Sequence, residues 1–185
     1  MNIVKILKNK NKKRENIFLN VGRLCKQKNQ IILLSAFKLF LKTNKKFILY
    51  FCGDGPDYTK LKLKCRNLNL DRHVKFLGWK HNIDKYLKKS KFFIFPTLYE
   101  GLPNSLIKAF NNNLICISSN VSGVRDICGK KFVSINKNTS EEIASKMIFA
   151  VKNYDYLYKQ FYKNKTNLKK FLLENFEKKL ITSIN

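Results

Sequence analysis

Short apolar runs alternate with longer helical stretches along this chain, and that alternation restricts its fold more than any other feature. The runs fall at residues 17–21, 47–51, 74–77, 92–95, 114–118 and 132–135. Strand-length runs that alternate with helices argue for a parallel sheet with crossover helices. Residues 30–41 are apolar nearly all round (Ile31, Ile32, Leu33, Leu34, Ala36, Phe37, Phe40) and predict a buried helix. An amphipathic helix is expected over 58–68, a brief one over 84–89, and another over 103–111 with Pro103 near its first position. Thr139 and Glu142 have capping-box spacing for a helix reaching 153, and further helices are predicted over 154–163 and 168–181. Parallel strands need crossovers, so the fold class is α/β: a Rossmann-like parallel sheet of about six strands with helices on both faces and a C-terminal helical tail. The 185 residues divide into a linker remnant (1–15), a Rossmann-like domain (16–153) and the tail (154–185).

Composition enters through charge. Lys and Arg number 38 against 12 Asp and Glu, a net +26. Three readings stay open: nucleic-acid binding, attraction to an anionic membrane, and compositional drift toward Lys, Asn and Ile. Base and phosphate readers favour the forked guanidinium, yet the arginines are only Arg14, Arg23, Arg66, Arg72 and Arg125. The lysines are spread over almost every helix and loop, which disfavours nucleic acid. Cys25, Cys52, Cys65, Cys116 and Cys128 form no CxxC pattern, and 52, 116 and 128 are expected at strands or strand ends; reduced thiols in a cytoplasmic protein, with no metal site, are expected. No apolar run is long enough to span a bilayer, so a peripheral place at the inner membrane face is the alternative.

Ligands of open parallel sheets sit at the carboxyl ends of the strands, where the informative residues of this chain fall. Gly22-Arg23-Leu24 follows the first strand, with Lys28-Asn29 at the expected start of a helix. Gly53-Asp54-Gly55-Pro56 follows the second, Glu100-Gly101-Leu102-Pro103-Asn104 the fourth, and Ser122-Gly123-Val124-Arg125-Asp126 lies in the last core loop. Singly, each is ordinary. The Gly53/Gly55 turn is a tight strand-to-helix connection, Arg23 and Lys28 are surface charges, and Glu100 is a loop acid. His73 and His81 read as polar loop residues, and Trp79 as either a stacking platform or a loop-closing contact. Their joint order and spacing carry the signal.

Asn20-Val-Gly-Arg-Leu24 with Gln27-Lys-Asn29, Phe51-Cys-Gly-Asp-Gly-Pro56, Val74-Lys-Phe-Leu-Gly78, the stretch from Phe95 through Glu100 to Ile107, and Ile117-Ser118 through Asp126 occur in family order. Together they resemble the donor-binding domain of GT-B glycosyltransferases, in the large retaining group called family 4 or glycosyl transferases group 1. The resemblance implies a nucleotide-sugar donor, a UDP- or GDP-sugar, and no metal or other cofactor. It implies that Arg23 and Lys28 meet the charge of the departing diphosphate. Amides at the helix start near Pro103, Leu102 and Asn104 would face the same group, and Gly101 would let the backbone approach. Glu100 would hold a donor-sugar hydroxyl, and Gly22, Gly53, Gly55 and Gly78 would line the donor and base pocket.

The chain departs from the family at Lys108, where a second glutamate, seven residues beyond the first, would accept the ribose hydroxyls; a lysine can only donate. Asn113 replaces a glycine, tolerable because Asn adopts a left-handed backbone, and Ile115 replaces a proline but suits a strand. Family members also place a second Rossmann-like domain before this one to supply the acceptor site. The resemblance therefore implies a donor half in cell-surface polysaccharide or glycolipid synthesis that is inactive alone, either the remnant of a truncated gene or one half that works with a separately encoded acceptor subunit. A non-catalytic nucleotide-sugar-binding module, or a basic nucleic-acid- or membrane-surface-binding protein, remains the alternative.

Overall fold

The computed structural model describes residues 14–162. The first strand, β1 (Glu15–Val21), passes through a 3-10 turn (Lys26–Lys28) into helix α1 (Gln30–Leu41). Then follow β2 (Ile48–Cys52), α2 (Tyr58–Asn67), β3 (Val74–Phe76), α3 (Asp84–Lys89), β4 (Ser90–Phe95) and α4 (Asn104–Asn111). β5 (Ile115–Ser119), α5 (Ser122–Cys128), β6 (Val133–Ile135), α6 (Ser140–Lys152) and α7 (Tyr154–Tyr162) complete the described residues.

All six strands are parallel, in the order β3-β2-β1-β4-β5-β6. The winding reverses between β1 and β4, so these neighbours splay their following loops apart at their carboxyl ends. Right-handed crossovers put α1 and α2 on one face and α4 and α5 on the other. The aromatic residues of the apolar runs meet around Phe18 at the sheet centre. Its ring stacks on Phe92 at 4.7 Å and meets Phe40 edge-on at 5.2 Å. This cluster, fully removed from water, fixes β1 against β4 and therefore fixes the two loops that carry the site.

The predicted elements are present with ends shifted by a residue or two, and several local expectations change. Residues 122–126, expected as a loop, are helical because Val121 is extended and α5 winds directly after it. Cys128 consequently closes a helix rather than a strand. Lys28 and Asn29 precede α1, since Asn29 is left-handed (φ 56°) and breaks the 3-10 turn from the helix. Pro103 is the N-cap of α4 rather than its first helical residue. Thr139 accepts the amide of Glu142, but the Glu142 carboxylate turns to the amides of Asn136 and Lys137 instead of returning the bond. Asn113 is left-handed (φ 59°) and Ile115 begins β5, as their substitution for Gly and Pro requires. Arg14, assigned to the linker, donates to the carbonyls of Leu87, Ser90 and Asn112. α7 packs on the same core, with the Tyr162 hydroxyl donating to the Leu114 carbonyl. The helix predicted over 168–181 and nearly all of the linker lie outside the described residues.

Candidate donor site at the carboxyl ends of the strands

Three loops close one half of the site by backbone contact. Gly22 N–H donates to Cys52 O, and Gly53 N–H donates to Gly78 O at 2.9 Å, so the ends of β1, β2 and β3 are tied in a row. Leu24 N–H reaches Asp54 O at 2.9 Å, and Asp57 N–H returns to Leu24 O. The glycines are required by this approach. A Cβ on Gly53 would stand 2.0 Å from Gly22 O, and one on Gly55 would stand 2.4 Å from Leu24 O. The Gly53/Gly55 turn is thus structural in cause, and its effect is a cavity of about 410 Å³. Val21, Gly22, Arg23, Cys52, Gly53, Asp54, Trp79, Lys80 and Ile83 line it, within the size range of small-molecule sites. Burial raises the Cys52 thiol pKa against the opposing effect of Lys80, so Cys52 is a neutral wall group at pH 7.

The other half is polar and lies across the switch point. The Lys28 ammonium pairs with Glu100 Oε1 over a separation of 72 residues in sequence. Their side chains are only 15% and 8% exposed, which places the pair in a partly dry environment where it responds strongly to any added charge. The ammonium also lies 5.0 Å from the centroid of the Phe95 ring. The Lys28 stem passes Gly22, where a Cβ would come 3.6 Å from it, so the pair stands next to a cavity-lining glycine while neither of its members lines the cavity itself. Thr97 donates to the same Glu100 oxygen at 2.8 Å.

The predicted residues are distributed as follows. Gly22, Arg23 and Gly53 line the cavity, with Arg23 exposed, while Gly55 and Gly78 support it from behind. Lys28 and Glu100 are brought together. Gly101 carries the carbonyl against which Gly123 packs, where a Cβ would be 2.2 Å away. Leu102 is exposed, Pro103 is buried, and Asn104 opens α4, whose first turn no side chain caps. Lys108 is exposed on the last turn of α4, apart from the cavity lining.

Several contributors are not among the predicted site residues. Gln30, buried at the head of α1, donates to Arg23 O at 3.0 Å and so sets the loop that presents Arg23. Asn20 anchors the end of β1 to Ile94 O at 2.8 Å. Asn20 stands at the head of the Asn20–Leu24 motif and is a polar residue inside an apolar run, but nothing in the sequence points to its partner on β4. In the sequence Asp54 stands in the Gly53–Pro56 motif without a role, Trp79 reads as a stacking platform or a loop-closing contact, and Lys80 is not singled out; all three line the cavity.

Similar proteins share this architecture. A mutant of Staphylococcus aureus TarM crystallised with UDP superposes with a TM-score of 0.78 at 21% identity, over 91% of this chain and 36% of that one. The lipopolysaccharide outer core galactosyltransferase WaaB gives 0.70 at 21% identity, covering 93% of this chain and 50% of WaaB. In sequence, the chain is 42% identical over 117 residues to the capsular polysaccharide biosynthesis glycosyltransferase CapH of Staphylococcus aureus, covering 61% of this chain and 33% of CapH. It is 34% identical over 115 residues to the Escherichia coli UDP-Gal:alpha-D-GlcNAc-diphosphoundecaprenol alpha-1,3-galactosyltransferase, covering 60% of this chain and 30% of that enzyme. The chain thus spans about a third of the length of these curated relatives. With the family profile described as "Glycosyl transferases group 1" matching residues 4–168, the chain belongs to that glycosyltransferase family and carries its GT-B donor-side fold.

Proposed function

We propose that the chain is the donor half of a retaining glycosyltransferase, binding a UDP- or GDP-sugar for hexosyl transfer in cell-surface polysaccharide or glycolipid synthesis. The observation that carries this reading is the Lys28–Glu100 pair closed beside the glycine-lined cavity at the switch point. In this reading the nucleoside occupies the cavity, and Arg23, Lys28 and the first amides of α4 meet the diphosphate without a metal. An ammonium has three donors, so Lys28 can keep its bond to Glu100 while donating to phosphate. Glu100 accepts a sugar hydroxyl. The names of the two curated relatives, one for capsular polysaccharide and one using UDP-Gal on a diphosphoundecaprenol acceptor, support the substrate class.

Residues 1–185 alone bind nucleotide sugar weakly and transfer nothing, because they span only about a third of the length of the curated relatives and an acceptor must be held against the donor for transfer. An acceptor-binding domain, in the same polypeptide or in another chain, supplies the acceptor surface, at the cytoplasmic face of an anionic membrane that the net charge of +26 favours. Calorimetry with UDP- and GDP-sugars, beside a nucleotide-release assay, tests both parts. Binding that disappears in an Arg23→Met, Lys28→Met double variant is the expected result. Absence of binding at millimolar ligand refutes the donor-site reading, and turnover by residues 1–185 alone refutes the need for an acceptor-binding domain. Lys108 favours a second reading, a binding module without catalysis, because it removes the ribose acceptor.

A further inference from the structure

Resting on the donor-site reading, we propose that Thr97 and Gln27 are positioning residues for the sugar end of the ligand. Thr97 selects which oxygen of Glu100 is presented, and Gln27 fixes the Glu100 loop against the Lys28 loop.

Thr97 is completely buried beneath the site. Its hydroxyl has three acceptors in range: Glu100 Oε1 at 2.8 Å, and Gln27 O and Tyr99 O at 3.2 Å each. A hydroxyl carries one proton, so it satisfies one of them. Gln27 O already accepts Leu98 N–H at 2.8 Å, and Tyr99 O accepts Gln27 Nε2 at 2.8 Å. The shortest contact and the only charged acceptor is Glu100, and the proton belongs there. Lys28 takes the same oxygen. Among the described residues no hydrogen bond reaches Oε2, so the carboxylate is pinned through Oε1 and presents Oε2 to an incoming hydroxyl.

Gln27 works one level out. Its backbone carbonyl and its side-chain amide grip Leu98 and Tyr99, the two residues before Glu100. Two loops from strands on either side of the switch point are therefore stapled at two consecutive residues, 98 and 99. Geometry at Glu100 is set from the Lys28 loop as well as by the loop that bears it.

Calorimetry on the full chain with UDP and with UDP-glucose, UDP-galactose, UDP-N-acetylglucosamine, GDP and GDP-mannose separates the two ends of the ligand. The readout is the ratio of nucleotide Kd to nucleotide-sugar Kd for the best-bound sugar. Thr97→Val is expected to cut that ratio about tenfold while nucleotide Kd moves less than about twofold, and Thr97→Ser to restore it. Gln27→Met is expected to cut the ratio in the same way by a smaller factor. Equal loss of nucleotide and nucleotide-sugar affinity in Thr97→Val, unrescued by Ser, assigns the residue to general folding and overturns the inference. An unchanged ratio overturns it too, as does a wild-type chain that binds nucleotide no better with the sugar attached, which leaves the nucleotide site standing. A wild-type chain that binds none of the probes removes the donor-site reading and this inference together.

Discussion

Replacing Gly53 by alanine tests whether the cavity is built by backbone approach. The new methyl carbon would stand 2.0 Å from Gly22 O and 2.9 Å from Gly22 C, both backbone atoms that cannot rotate away. Holding a non-glycine residue at φ +149° costs about 1–3 kcal/mol. Relieving the overlap adds about 1–3 kcal/mol of overpacking, and it displaces the loop that holds the Gly53–Gly78 and Leu24–Asp54 bonds. A total of about 2–6 kcal/mol is a large part of the about 5–15 kcal/mol by which a domain is stable. Gly78→Ala is the control: its φ is +68°, yet nothing lies within 4 Å of the added Cβ, so only backbone strain of about 1–2 kcal/mol is expected. Urea unfolding followed by far-ultraviolet circular dichroism measures both, and the Gly53→Ala midpoint should fall by about 1–2 M. Trp79, the single tryptophan, lines the cavity and is best kept to report nucleotide binding. A Gly53→Ala chain no less stable than Gly78→Ala would refute the argument from loop approach.

Lys108→Glu restores an acceptor where the family has one, and nucleotide affinity measured by calorimetry should rise about ten- to a hundredfold. The same change places an acid on the last turn of α4, so its melting temperature should drop slightly; no gain in affinity would favour the binding-module reading. Glu142 titrates below the ordinary carboxylate value: burial pushes it up, but the amides of Asn136 and Lys137 and the nearby Lys146 outweigh that. Its stabilising share is present above about pH 4.5 and is lost as pH falls through the lowered native value. The stability gap between wild type and Glu142→Gln should therefore shrink below pH 4, as read by urea titrations across pH. Tyr162→Phe removes the hydroxyl donated to Leu114 O and should cost about 1–2 kcal/mol. Limited proteolysis of α7 at raised temperature should accelerate correspondingly.

The sheet was legible because short, mostly apolar runs alternate with helical stretches, the pattern expected of a parallel sheet with crossovers. The glycine positions were legible because loops that touch backbone to backbone leave no room for another residue. Pairings across the switch point were not: nothing local joins Lys28 to Glu100 across 72 residues, and Thr97 has the composition of any loop residue. The order of the strands was likewise absent from the sequence, since alternation fixes parallelism but not neighbours. Helix α5 was missed because Ser122-Gly123 looks like a turn. Its glycine serves close packing on Gly101 O rather than chain reversal. Lys28 was placed on a helix because the apolar pattern of α1 begins just beyond it, while the break depends on one left-handed asparagine.

The short outer strands have a consequence for assembly. β3 and β6 are three residues each, and the middle residue of β3 is the exposed Lys75. Each offers too few free amides and carbonyls to template an added strand, and a lysine on such a margin discourages one further. Self-association by sheet extension is thereby suppressed in a chain rich in β-forming phenylalanine and isoleucine. Any protein contact this domain makes is consequently expected to run through side chains, with an affinity open to tuning residue by residue instead of being fixed by a shared backbone ladder.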